Sequence, residues 1–176
     1  MPYPARVLAL SALAALLPQS VIGLVAGVYI DRWDRKRTMI AADSFIAFCT
    51  LLLAVLFFLN LAEIWHIYVL LALRSVGSAF HMPAMQASIP LLAPADQLGR
   101  IAGINQMLES VCNIAGPALG ALFIGLMDIS YILLLDVGGA LMACLSLLFV
   151  RIPNPEQDEN KRTGIWIELK EALHIV

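Results

Sequence analysis

The sequence predicts an all-α integral membrane protein, and two observations carry that prediction. Of its 176 residues, 61% are hydrophobic and only 14% are charged. An ordinary soluble domain is roughly 45–50% apolar and roughly 25% charged. The excess also falls in five blocks, each near the roughly 20 apolar residues a helix needs to cross a bilayer core of about 30 Å. A soluble bundle would carry polar stripes along its helices, and these blocks mostly lack them.

The first predicted span covers about 7–30. It exceeds the roughly 7–15 residues of a secretory h-region, and a basic stretch follows it instead of a small-residue cleavage site. It is therefore read as a retained span. The second covers about 38–60, after the charged stretch "DRWDRKR"; the third, about 66–90, follows "NLAE". "PADQLGR" at 94–100 precedes the fourth, about 101–126, and the turn around Asp128 precedes the fifth, about 129–150. Together they make a membrane unit over 1–152, followed by a tail at 153–176. "RIPNPEQDENKRTG" reads as a polar linker. Beyond it, Trp166, Leu169, Leu173 and Val176 share one helical face with Glu168, Lys170 and Glu171 off it. That pattern is an interfacial amphipathic helix or the approach to a further span.

Lysine and arginine positions set the orientation, because cytoplasmic loops are enriched in them. Arg32, Arg35, Lys36 and Arg37 fall in the first loop, Arg100 in the third, and Arg151, Lys161, Arg162 and Lys170 in the tail. Alternation places all of these on one side, with Arg6 opposite. The first loop, the third loop and the tail are expected in the cytoplasm and Met1 outside. An outside start and an odd number of spans lead us to expect one further span upstream.

Several function classes drop out. The net charge of −2 gives no reason to expect nucleic acid. Cys49, Cys112 and Cys144 lie far apart in apolar runs, which is neither a disulfide framework nor metal-ligand spacing. No phosphate-binding glycine loop, metal cluster or Ser/His/Asp set stands at useful spacing, so neither an enzyme nor an organic or metal cofactor is expected.

The remaining charges and glycines form motifs. Gly27-x-x-x-Asp31-Arg32-x-x-Arg35-Lys36 resembles the loop between the second and third helices of the major facilitator superfamily, G-x-x-x-D-R-x-G-R-R/K. Asp34 replaces the usual glycine, as in the "DRWDR" loops of the macrolide-efflux-like branch. The resemblance implies that Asp31, Arg32 and Arg35 lock the transporter halves on the cytoplasmic side, with Asp43 one turn inside the next span as a further partner. Setting topology alone is the simpler role for the same loop.

"GINQMLESVCNIAGPALGA" places Gly103, Cys112, Gly116, Pro117 and Gly120 in the register G-x8-G-x3-G-P-x2-G-G, with Cys112 and Ala121 as small replacements for glycine. It resembles the fifth-helix antiporter motif of the superfamily's drug exporters. Small residues at helical spacing let backbones approach closely, and the proline bends the helix. Arg74 resembles the arginine of the fourth-helix motif R-x-x-q-G, with Gly77 one place early and the glutamine absent. A charge within the membrane costs at least about 2.5–3.5 kcal/mol and needs a partner; Glu109 and Asp136 are the candidates. With His81 these residues are the candidates for the proton coupling that the resemblance implies, and a purely structural ion pair is the alternative. "FHMPAMQASIP" and the Asp136-Val137 to Pro153 segment also resemble the macrolide-efflux branch.

The resemblance covers nearly the whole chain. It implies helices two to six of a twelve-helix transporter and the start of its central loop, with the first helix and the C-terminal half as the missing partners. The fold would be five helices of the N-terminal six-helix half, built of inverted repeats with cargo held near the midplane. The implied activity is export of an apolar or cationic drug across a bacterial plasma membrane, driven by a proton gradient. A siderophore exporter of the same superfamily, a truncated fragment without transport and a partner subunit are the alternatives.

Overall fold

The structure, a computed structural model, describes residues 3–30 and 33–153. Asp31, Arg32 and the predicted amphipathic segment of the tail lie outside the described residues. Among the described residues there are five long α-helices: α1 (Tyr3–Ile30), α2 (Arg35–Phe58), α3 (Ile64–Leu92), α4 (Leu98–Leu126) and α5 (Ile129–Phe149). All five contain a stretch long and apolar enough to cross a membrane.

The helices run slightly past the apolar blocks because local groups cap them. Asp34 stands at the N-cap of α2, where its Oδ1 accepts the Arg37 N–H at 3.0 Å. This carries helix through the basic residues from Arg35 onward. At the other end, Asn60 turns left-handed with φ 54°, a conformation that asparagine tolerates better than most residues. There Leu61 N–H reaches Leu56 O at 2.9 Å and Asn60 N–H reaches Phe57 O at 3.0 Å, which closes the helix with a Schellman turn. At the start of α3, Trp65 Nε1–H donates to Glu63 Oε2 at 2.7 Å, and Glu63 N–H donates to His66 Nδ1 at 3.0 Å.

The main packing runs α1 against α3, α3 against α2, and α2 against α5. One buried cluster, Ala26, Ile30, Met39 and Ala84, joins α1, α2 and α3 near the first loop. Another, Cys49, Leu53 and Leu70, joins α2 and α3 near their opposite ends. A small residue sets the closest crossing: Gly77 approaches α2 so closely that a Cβ there would lie 2.7 Å from Ile46 Cγ1. Large apolar side chains cover the outside instead, with Ile114 79% and Phe149 90% exposed, as a lipid solvent requires. Helix α4 stands apart. It touches α5 only slightly and buries none of its residues among those described.

Helix α1 meets a hydroxyl of α3 at its middle. Pro18 has no backbone N–H to give its helix. One residue further, Gln19 N–H donates to Ser75 Oγ at 3.0 Å, while the Ser75 hydroxyl donates to Ala15 O at 2.5 Å. The α3 hydroxyl thus bridges the two backbone groups that an ideal helix would bond to each other, a known origin of helix bends.

Candidate functional site

Two polar rungs cross the α2–α3 pair inside the apolar spans. In the first, Arg74 Nη2 of α3 lies 2.9 Å from Asp136 Oδ2 of α5. Thr50 of α2 donates its hydroxyl to the same Asp136 Oδ2 at 3.2 Å and to Ile46 O at 3.0 Å. Three helices therefore meet at one carboxylate oxygen. In the second rung, His81 Nδ1 of α3 lies 2.8 Å from Asp43 Oδ1 of α2.

The spacing of the rungs follows from helix geometry. Asp43 and Thr50 are seven residues apart on α2, as are Arg74 and His81 on antiparallel α3. Seven residues are close to two turns, so each pair shares a face, and the rungs are stacked about 10 Å apart. Exposure distinguishes the two. The Asp136 side chain is 51% exposed. The Asp43 side chain is only 13% exposed.

The basic loop residues act as braces. Arg35 Nη1 donates to Ala87 O on α3 at 2.6 Å. Lys36 Nζ donates to Leu148 O at 3.0 Å and Val150 O at 2.8 Å, where a cation suits the orphan carbonyls and negative dipole end of α5. Two residues of the Gly27–Lys36 motif thus tie the start of α2 to α3 and α5, while Asp31 and Arg32 lie outside the described residues. Asp43 joins His81, which links a residue expected at the gate to one expected in proton coupling.

Of the two partners expected for Arg74, the structure brings Asp136 to it and leaves Glu109 exposed on α4. The glycines of the antiporter-like register, Gly103, Gly116 and Gly120, have no described atom within 4 Å of where a Cβ would stand. Cys112 on the same helix is exposed. The small-residue face of α4, with Pro117 inside the helix, is uncovered because α4's described neighbours are few. Thr50 and Ser75 were not singled out from sequence. Their signals were nonetheless present: Thr50 stands a heptad from Asp43, and Ser75 directly follows the intramembrane arginine.

The family profile of the Major Facilitator Superfamily matches residues 4–175. The chain belongs to this superfamily. Its five apolar helices fit a multi-pass membrane protein of that transporter superfamily. Macrolide efflux protein A of Streptococcus pyogenes is 40% identical over 149 residues, covering 85% of this chain and 37% of the relative. Macrolide efflux protein A of Enterococcus faecalis is 42% identical over 149 residues, covering 85% and 46%. The uncharacterized MFS-type transporter YfiS of Bacillus subtilis is 28% identical over 163 residues, covering 91% and 38%. The chain thus spans less than half the length of these curated relatives. No solved structure matches it.

Proposed function

We propose that this major facilitator chain belongs to an exporter that exchanges a macrolide-type drug for an inward-moving proton. The supporting observation is the Arg74–Asp136 pair, with Thr50 on the same carboxylate oxygen. Protonation of Asp136 cancels its charge and releases its hold on Arg74, loosening α5 from α3. Arg74 is then an unpaired cation in the membrane, an expensive state that an electron-rich or anionic group on the moving side relieves. Asp43 and His81 form the second proton-accepting rung, and Glu109 on α4 is the third candidate. The proton gradient drives the cycle without an organic or metal cofactor.

Gly27, Asp31, Arg32, Arg35 and Lys36 form the cytoplasmic gate in this reading. Gly103, Cys112, Gly116, Pro117 and Gly120 form the face that further helices of a larger transporter cover. The setting is a bacterial plasma membrane with the basic loop and tail inside, supported by the distribution of cations and by the bacterial origin of the relatives. The uncovered face of α4 favours one other reading, a membrane fragment or partner subunit without transport of its own.

The assay is accumulation of a radiolabelled macrolide and of a catecholate siderophore in efflux-deficient bacteria expressing the protein, with and without a protonophore. The proposal expects lower macrolide accumulation that the protonophore abolishes. Lower catecholate accumulation alone would make the protein a siderophore exporter. Unchanged accumulation of both would favour the non-transporting fragment.

A further inference from the structure

Beyond the polar rungs, α2 and α3 enclose an open groove of about 730 Å³. Its walls are Ala41, Ala42 and Phe45 of α2 with Val76, Gly77 and Phe80 of α3. Val76, Gly77 and Phe80 lie about 200°, 300° and 240° around α3 from Arg74 at roughly 100° per residue, so the groove lies to one side of the Arg74–Asp136 pair. It runs from Thr38 to Phe45 along α2, about 10 Å of helix. Gly77 lets the two helices approach closely at its floor, where a Cβ would run into Ile46 and Phe45.

The mouth differs in chemistry from the walls. Trp33, 51% exposed and stacked on Phe80 with ring centroids 6.3 Å apart, stands at the end by the first loop. Tryptophan favours this headgroup depth of a bilayer. Arg37 also lines the mouth. Arg35 and Lys36 are directed at backbone carbonyls, whereas the Arg37 side chain is 88% exposed, with Asp34 Oδ2 3.5 Å from its Nε. The whole stretch from Asp31 to Arg37 sets four cations against two carboxylates, so its excess charge is positive.

An apolar slot continuous with an exposed guanidinium at interfacial depth matches one kind of molecule. We propose that the α2–α3 groove is a binding site for an anionic phospholipid, with an acyl chain between Phe45 and Phe80 and the phosphodiester on Arg37. Arginine suits this role because its remaining N–H groups can hold two phosphate oxygens at once. Basic pockets between membrane helices bind anionic headgroups for the same reason. The site lies to one side of the Arg74–Asp136 pair and does not depend on the identity of the exported molecule.

Native mass spectrometry of the full chain, released from detergent micelles containing phosphatidylglycerol or phosphatidylcholine, tests the site. The expected result is retention of phosphatidylglycerol over phosphatidylcholine, with Arg37→Gln lowering retention about fivefold, the worth of one cation at a membrane surface. Ala41→Trp, which fills the groove from an exposed position, lowers it as well. Leu141→Trp on the outer face of α5 leaves it unchanged, and circular dichroism confirms that each variant is helical. Equal retention of the two lipids, unchanged retention in Arg37→Gln, or an equal loss in Leu141→Trp would overturn the proposal.

Discussion

At the scale of single residues, the intramembrane charges organise the molecule. Arg74 was recognisable from sequence because an arginine amid apolar residues needs a partner, but sequence offered both Glu109 and Asp136. Only the packing of α5 on α2, and the position of α4 to one side, selects Asp136. Thr50 was less legible, since a threonine in a membrane helix commonly satisfies itself on the preceding turn, as Thr50 also does on Ile46. Removing one member of an ion pair within a membrane span leaves the other charge unpaired there, at about 2.5–3.5 kcal/mol, whereas replacing both with apolar residues avoids that cost. Asp136→Leu is therefore expected to lower the thermal midpoint of the detergent-solubilised protein, and Arg74→Leu/Asp136→Leu to restore it. Fluorescence-detected size exclusion after heating measures both. A double variant no more stable than Asp136→Leu would mean that the pair does not hold α3 to α5.

At the scale of elements, the sequence located the five helices because long apolar blocks leave few alternatives. Their ends depended on particular side chains: Asp34 carries α2 back through the basic residues, and Asn60 stops it. The register of α2 on α3 was not legible, because most sides of both helices are apolar. It rests on Gly77, whose missing side chain admits Ile46. Gly77→Ala should destabilise the protein by about 1–3 kcal/mol through overpacking, and Ile46→Ala in the same chain should recover much of that loss. The Ser75 bridge predicts a distinct behaviour for α1. Ser75→Ala leaves the Ala15 and Gln19 backbone groups without its hydroxyl, at up to about 1–3 kcal/mol if they stay unsatisfied, unless the two bond to each other. Amide hydrogen exchange at Gln19 distinguishes these outcomes. Faster exchange supports the bridge, and unchanged exchange means that α1 needs no help from α3.

At the scale of the whole molecule, the superfamily was legible because its loop and helix motifs span most of the chain. The α4 motif shows where sequence and structure part. Its small residues are spaced for close helix contact, yet no described atom covers them, because a motif specifies the kind of contact and not the contacting segment. The orientation deduced from lysine and arginine is testable in a background without native cysteines. Leu61→Cys should react with a membrane-impermeant maleimide in intact cells, and Gln97→Cys only after permeabilisation; the reverse pattern would invert the proposed gate. The central claim, proton-coupled export through Asp136, is tested most directly in inverted membrane vesicles holding a preformed pH gradient. Addition of a macrolide should dissipate the gradient with the wild-type protein and fail to do so with Asp136→Asn at equal abundance. Dissipation by both proteins, or by neither, would contradict the account.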